Sequence, residues 1–294
     1  MKIYPTIEEV RAACRAARAR GKRLGLVPTM GALHEGHLSL VRAAQAQCNA
    51  VAVSIFVNPK QFGPTEDLSK YPRQFDRDRQ LLEKENVDIL FAPSVEEIYP
   101  PGRAPHGEVL DNGSTWVWVE GLSERLDGRS RPGHFRGVTT IVAKLFHIIE
   151  PDAAFFGQKD AAQLAIIRRM VRDLDFPVEI VAGPIVREPD GLAMSSRNVY
   201  LNREERARAL VLHRALEQVR QNFEAGDRVA AYLTTAAKEI FAGQPDVVLD
   251  YCEIVDPDTL DPVAQISRKA LVAVAAYVGT TRLIDNLVLQ LEPN

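Results

Sequence analysis

Cysteine is scarce in this chain: Cys14, Cys48 and Cys252 are the only three in 294 residues. The number is odd, the three lie far apart, and no Cys-x-x-Cys pair occurs. A disulfide scaffold or a cysteine zinc site is therefore not expected, and a reducing compartment fits best. Long apolar runs are also missing. The longest, near Ala270 to Val278, falls far short of the ~20 residues that a membrane-spanning helix requires. The opening Met1-Lys2-Ile3-Tyr4-Pro5 leads into Glu8, Glu9 and several arginines, not into the apolar stretch of a secretory leader. The expectation is a cytoplasmic protein with no membrane partner. Positive charge is not in surplus either. Lys and Arg total 36 against 39 Asp and Glu, a net charge of −3. That balance argues against a dedicated nucleic-acid binder, which carries a basic footprint, but it leaves room for a local basic pocket. Low-complexity segments and internal repeats are absent.

What is present is a globular composition, 46% apolar and 26% charged. At roughly 100–200 residues per domain the length allows two domains or one large one. Residues 8–20 read as a polar helix, and Leu24 to Thr29 as a short buried strand. His37 to Gln47 reads as a helix, and Val51 to Val57 is the strongest strand signal in the chain. Phe75 to Asn86 is a charged helix, and Asp88 to Phe91 a short strand. A helix from about Val138 to Ile149 is followed by a strand at Ala153 to Phe156, a helix at Ala161 to Asp173 and a strand at Val178 to Val181. This alternation implies a parallel sheet with helices on both faces, with ligands beyond the carboxyl ends of its strands.

The pattern changes after Val186. Two long helices, Arg203 to Phe223 and Arg228 to Phe241, precede three strand-like runs at Val247–Val255, Ala270–Val278 and Leu283–Leu291. The expected architecture is α/β: a Rossmann-like parallel-sheet domain at 1–186 and a smaller α+β domain at 187–294. The stretch from Pro100 to Pro132, with Trp116 and Trp118, reads as an excursion from the sheet, a hairpin plus a covering loop.

Four segments could carry chemistry. Met30-Gly31-Ala32-Leu33-His34-Glu35-Gly36-His37 joins a strand to a helix. Its glycines allow close backbone approach, and a helix N-terminus is an anion site. A Walker A loop is excluded, because His37 and Leu38 stand where Lys and Ser/Thr belong. A zinc-protease pair is excluded too, because the second histidine comes one residue early. A metal site and a plain helix cap with surface histidines remain open alternatives. The second segment, Asn58-Pro59-Lys60-Gln61-Phe62, leaves the strongest strand and offers two amides, although Asn-Pro is also an ordinary turn starter. The third, Gly157-Gln158-Lys159-Asp160 with Gln163, offers a phosphate-pairing lysine, with Asp160 as a plain N-cap the alternative. The fourth, Met194-Ser195-Ser196-Arg197, sets two hydroxyls and a guanidinium in a loop able to wrap a triphosphate. Asp78 could be a carboxylate standing behind a cation's own ligands, but part of a charged helix face is the better reading.

Together these segments resemble the pantothenate synthetases, the AMP-forming pantoate–β-alanine ligases. The resemblance rests on His34-Glu35-Gly36-His37 and on Met194-Ser195-Ser196-Arg197, the counterpart of a Lys-Met-Ser-Lys-Ser loop. It extends to Pro28-Thr29-Met30-Gly31, Phe56-Val57-Asn58-Pro59, Tyr71-Pro72-Arg73, Arg131-Pro132-Gly133-His134-Phe135-Arg136-Gly137-Val138 and Phe156-Gly157-Gln158-Lys159-Asp160. Gln158 departs from the glutamate that is frequent in the family.

The resemblance implies that pantoate carboxylate attacks the α-phosphorus of ATP, giving pantoyl adenylate and pyrophosphate. The amine of β-alanine then displaces AMP. It implies catalytic roles for His34, His37 and Lys159, with His37 as proton donor. Met30, Gly31, Ala32, Leu33, His34, Glu35, Gly36 and His37 would line the ATP site. Gly157, Gln158, Lys159, Asp160, Val186, Met194, Ser195, Ser196 and Arg197 would complete it. Gln61 is implied to contact pantoate and β-alanine, and Gln163 to contact pantoate. Mg²⁺, with ligands unassigned, would bridge phosphate oxygens. The domain at 187–294 would act as a lid, and the protein would be a homodimer. The rival readings are a nucleotidyltransferase, a fragment of an aminoacyl-tRNA synthetase and a non-enzymatic nucleotide sensor. Neutral Gln61 and Gln163, where a phosphate-bearing substrate would call for basic residues, disfavour the first; net charge −3 disfavours the second.

Overall fold

The computed structural model describes residues 1–64, 66–103, 109–110 and 115–291. Along the first part of the chain run β1 (Lys2–Tyr4), α1 (Ile7–Ala19), β2 (Leu24–Thr29), α2 (Glu35–Gln47), β3 (Ala50–Ile55), α3 (Phe75–Lys84), β4 (Ile89–Phe91) and the one-turn α4 (Val95–Ile98). The two-residue strands β5 (Gly102–Arg103) and β6 (Val109–Leu110), one-turn α5 (Asp127–Ser130), α6 (His134–Ile149), β7 (Ala153–Gly157), α7 (Ala161–Asp173) and β8 (Glu179–Gly183) follow. The last part holds α8 (Arg203–Ala209), α9 (Val211–Glu224), α10 (Ala230–Ala242), β9 (Val247–Val255), β10 (Lys269–Val278) and β11 (Thr281–Gln290).

The chain forms two compact units. The first comprises Met1–Ser123, Arg131–Gly157 and Ile166–Gly183; the second comprises Glu124–Ser130, Gln158–Ala165 and Pro184–Asn294.

The first unit is built on a six-stranded sheet in the order β1-β4-β3-β2-β7-β8. Every pairing in it is parallel. Strands covered on both faces read as continuous apolar runs, and Val51 and Val53 of β3 are buried with Leu38, Val41 and Ala44 of α2. The chain moves outward from β2 through β3 to β4, then returns to place β7 and β8 on the other side of β2. The strand order therefore reverses between β2 and β7. In an open α/β sheet, the carboxyl ends flanking such a reversal form the ligand crevice. Those ends are Thr29 and Gly157.

The second unit carries a three-stranded antiparallel sheet, β11-β10-β9. One face is covered by α9 and α10, and Leu212, Leu216, Val219, Leu233 and Phe241 pack with Val272 and Val274 of β10. Among the described residues no helix is long and apolar enough to cross a membrane.

Two local features differ from the sequence reading. The helix placed at Arg203 to Phe223 is broken at Leu210 into α8 and α9. The edge strand β1 is an addition that its three partly exposed residues do not announce. The Pro100–Pro132 excursion does contain a short antiparallel pair, β5 with β6; residues 104–108 and 111–114 lie outside the described residues. Trp116 is held between the Lys60 ammonium, 4.6 Å from its ring, and the Arg136 guanidinium, 4.3 Å from it.

Candidate active site

In the first unit the chain leaves β2 at Thr29 and turns sharply before α2. Gly31 has φ +81° and Ala32 φ +51°. The Gly31 position is crowded as well as left-handed: a Cβ there would lie 3.0 Å from the Asp78 carboxylate and 3.2 Å from Ile55. Asp78 is the reason the turn holds. Its two oxygens accept the N–H groups of Ala32 at 2.7 Å and Leu33 at 2.8 Å, while Arg77 donates to the Leu33 carbonyl at 3.3 Å. Asp78 is 1% exposed, so its place on a charged helix face is corrected. It is the inward carboxylate that satisfies two loop amides. Burial pushes its carboxyl above the ordinary value, and the two backbone N–H groups and Arg77 offset part of that rise.

The helix begins at Glu35, two residues earlier than the apolar pattern implies, because His34 is its N-cap. His34 Nδ1 accepts the Gly36 N–H at 3.2 Å, and His37 Nδ1 accepts the His34 N–H at 3.3 Å. The two rings lie 4.2 Å apart. Because both Nδ1 atoms act as acceptors, the neutral rings carry their protons on Nε2. Two ring N–H donors thus sit at a helix N-terminus, where backbone amides and the helix dipole favour an anion. The other members of the segment divide by environment. Leu33 is a core side chain, and exposed Glu35 pairs with Arg42, which lowers its carboxyl.

The turn after β3 is built around Asn58, which is 1% exposed. Its Nδ2 donates to the Gly137 carbonyl and to Gln61 Oε1, each at 3.1 Å. Its Oδ1 accepts from Lys60 N at 3.3 Å and Tyr99 OH at 3.0 Å. All four hydrogen-bonding positions of this amide are used by protein. Helix α6 comes so close that a Cβ on Gly137 would lie 2.1 Å from the Lys60 carbonyl. Gln61, held by Asn58, donates its other end to Met30 Sδ. Its backbone carbonyl accepts from His134 Nδ1 at 2.8 Å. Arg131 lies 3.0 Å from His134 Nε2 and forms a bidentate pair with Glu66 at 2.6 and 2.9 Å. Burial opposes ionisation of Glu66, but the hydrogen bond and charge of Arg131 hold its carboxyl below the usual value.

The second unit contains the other predicted segments. Past Gly157, Gln158–Asp160 form a single tight turn ahead of α7. Lys159 lies 3.7 Å from the half-exposed Asp160 carboxylate, and Gln163 is in the first turn of α7. Residues 186–194 form a tight hairpin. Met194 N donates to the Val186 carbonyl at 2.9 Å, Arg187 bridges Ala193, and Glu188 N donates to the Leu192 carbonyl at 2.8 Å. Ser195 then caps a short turn, its hydroxyl accepting Arg197 N at 3.2 Å. Asn198 ties that turn to Glu188 and to the Ala193 carbonyl. Asp78, Asn58 as a scaffold, and the strand β11 contacts to these loops are the supporting residues that sequence reasoning misses. Their partners are remote in sequence.

The model of the family described as Pantoate-beta-alanine ligase matches residues 2–288. The chain belongs to the pantoate–β-alanine ligase family. Among curated relatives it is similar to the pantothenate synthetase of Koribacter versatilis (strain Ellin345), 58% identical over all of this chain and 98% of that protein. It is 56% identical to the pantothenate synthetase of Thermotoga neapolitana, over 98% of this chain and 100% of that one. Among solved structures, a Thermus thermophilus pantothenate synthetase superposes with a TM-score of 0.90 at 49% identity, over 98% of this chain and 99% of that one. The Francisella tularensis pantoate–β-alanine ligase, solved with Beta-gamma ATP and β-alanine, gives 0.78 at 32% identity, over 98% of this chain and 97% of that one. The activity is the ligase family's: ATP-dependent joining of pantoate to β-alanine through pantoyl adenylate, yielding pantothenate, AMP and pyrophosphate.

Proposed function

We propose that this ligase activity is carried by His34, His37 and Lys159, with ATP contacted by Met30–His37, Gly157–Asp160, Val186 and Met194–Arg197. The observation that carries the reading is the paired histidine cap at the start of α2, beyond the β2 end of the strand-order reversal. The first half-reaction brings a carboxylate to a triphosphate. It needs fixed donors and cations where charge builds up. His34 and His37 present Nε2–H donors toward phosphate oxygens, and His37 supplies the proton donor. Lys159 and Arg197 supply positive charge.

Gln61 contacts pantoate and β-alanine, and Gln163 contacts pantoate. Neutral amides suit this task, because each offers a donor and an acceptor without setting a second charge beside a carboxylate. Burial of Gln61 (9% exposed) and its double backing by Asn58 and His134 support a fixed binding amide.

Mg²⁺ fits as a cation delivered on ATP. Both Asp78 oxygens are already committed to amides, and among the described residues no three His, Cys, Asp or Glu groups could hold a metal together. Such a hard cation neutralises phosphate charge and retains several waters. The three free, buried cysteines support a cytoplasmic location, and the family resemblance supports a homodimer.

The deciding experiment measures pyrophosphate and AMP release with pantoate and β-alanine omitted in turn, for the wild type and Gln61→Ala. Pyrophosphate release should require pantoate, and AMP release should require both substrates. Gln61→Ala should raise the KM for pantoate about ten-fold or more while leaving that for ATP within about two-fold. A shift confined to ATP would overturn the assignment of Gln61. EDTA should stop pyrophosphate release and Mg²⁺ restore it.

A further inference from the structure

Asp285 and Asn286 are neighbours on β11, and both are 3% exposed. Consecutive strand residues point to opposite faces of a sheet. Asp285 lies in the row with Leu283 and Leu289, which face the core beneath α9 and α10. A lone carboxylate in such a row would be costly. Arg187 neutralises it with both arms, Nη1 to Oδ2 at 2.6 Å and Nη2 to Oδ1 at 3.0 Å, and also donates to the Gly191 carbonyl at 3.0 Å. Arg187 is the residue at which the hairpin leading to Met194–Arg197 opens.

On the other face, Asn286 grips the turn after β7. Its Nδ2 donates to the carbonyls of Gln158 at 3.0 Å and Lys159 at 2.8 Å, and its Oδ1 accepts from Gln158 Nε2 at 3.3 Å. One strand position thus anchors the turn bearing Lys159, and the adjacent position anchors the loop bearing Ser195, Ser196 and Arg197.

We propose that Asp285 and Asn286 are positioning residues for ATP, setting the phosphate-binding turn and the phosphate-binding loop in register from a single strand. This rests on the reading that those two segments hold the triphosphate. Neither side chain is assigned a contact with substrate. Their effect reaches the chemistry through the placement of Lys159 and Arg197, and a displacement of about 1 Å in such groups can cost roughly a hundred-fold in rate.

The test is steady-state kinetics of pyrophosphate release for Asn286→Asp, Asn286→Ala, Asp285→Asn and Lys159→Ala. Asn286→Asp keeps the side chain's size but turns a carboxylate oxygen toward two carbonyl oxygens. The expected result for each β11 variant that folds is a KM for ATP raised about ten-fold and a kcat lowered about ten-fold or more, with the KM for β-alanine within about two-fold of wild type. A smaller folded fraction lowers apparent kcat and moves no KM, so an unchanged KM for ATP in the Asn286 variants overturns the proposal. Should Asn286→Asp fail to fold, Asn286→Ala decides. If Lys159→Ala is impaired while the Asn286 variants are not, positioning alone is wrong. If Lys159→Ala also behaves as wild type, the nucleotide-site reading itself fails.

Discussion

Asp78 accepts the backbone N–H of Ala32 at 2.7 Å, across 46 positions of sequence. Ala32 has φ +51°, a conformation that costs an L-residue roughly 1 kcal/mol or more and persists where its surroundings demand it. The second Asp78 oxygen takes Leu33 N, and Arg77 takes the Leu33 carbonyl. The last backbone groups before the His34 cap are thus gripped by two consecutive residues of α3. Local propensity for this turn is poor, and a carboxylate from elsewhere in the sheet's surroundings makes it rigid.

Asp78→Asn is expected to lower pyrophosphate release about ten-fold or more, because one amide end would then face a backbone N–H donor to donor. The pH dependence of stability should change in a stated direction. Burial raises the Asp78 carboxyl above its ordinary 3.8. That titration favours the folded state most below the ordinary value, and the benefit is lost as pH rises through the folded-state value. The variant lacks it. Its melting temperature should therefore lie furthest below wild type in acid and recover relative to wild type as pH rises through the carboxylate range. A constant gap across that range would contradict the account.

The two histidines should separate. His37→Ala should keep its fold and lose adenylate formation by about a hundred-fold or more, the usual worth of a positioned proton donor. His34→Ala should lose activity and also about 1 kcal/mol of stability, because the N-cap acceptor for Gly36 N disappears. His34→Asn retains a capping oxygen, and so should recover the melting temperature without recovering the rate. Pyrophosphate release near wild type in His37→Ala would sink its role.

The parallel sheet is legible in the sequence because its central strands are buried on both faces. Val51 and Val53 in β3, and Ala153 to Phe156 in β7, are continuous apolar runs for that reason. Edge strand β1 is not legible, because three residues with Lys2 and Ile3 exposed carry no such pattern. The start of α2 is misread by two residues because histidine is an uncommon N-cap. The chemical segments stand out locally as glycines, histidines and hydroxyls near strand ends. Their supports do not. Asp78 looks like one more charge on a polar helix, and Asn58 looks like a turn starter. What sets each apart is a partner that no local spacing encodes: Ala32 for the first, Gly137 and Tyr99 for the second.

Asn58 and Gln61 are three residues apart and should fail differently. Asn58→Ala strands the buried Tyr99 hydroxyl, Gln61 Oε1 and the Lys60 N–H, and each unpaired buried group costs about 1–3 kcal/mol. A loss of at least about 2 kcal/mol is expected from chemical denaturation, along with weaker pantoate binding as Gln61 loses its backing. Gln61→Ala removes one acceptor of the buried Asn58 amide, so it should bind pantoate poorly and melt between Asn58→Ala and wild type. Equal melting temperatures for the two variants would remove the distinction between scaffold and binding amide.

Arg282 supplies the last test, within the second unit. Its Nη1 donates to Asp127 at 2.7 Å, and its Nε and Nη2 donate to Asp250 at 3.0 and 2.7 Å. Asp250 also accepts from Ser130, and Arg129 and Arg125 pair with Glu253 and Asp261. Residues Glu124–Ser130 are thereby fastened to the three-stranded sheet. The exposed outer pairs contribute little, because water and salt screen them. Arg282 is different, with 14% of its side chain exposed against 10% and 18% for its two carboxylate partners. Arg282→Met leaves two nearly buried carboxylates without their cation, which should cost about 3–5 kcal/mol at neutral pH. The released segment should also be cut faster by trypsin after Arg125 and Arg129. Wild-type melting and wild-type cleavage at neutral pH would show that the outer pairs hold the segment without Arg282.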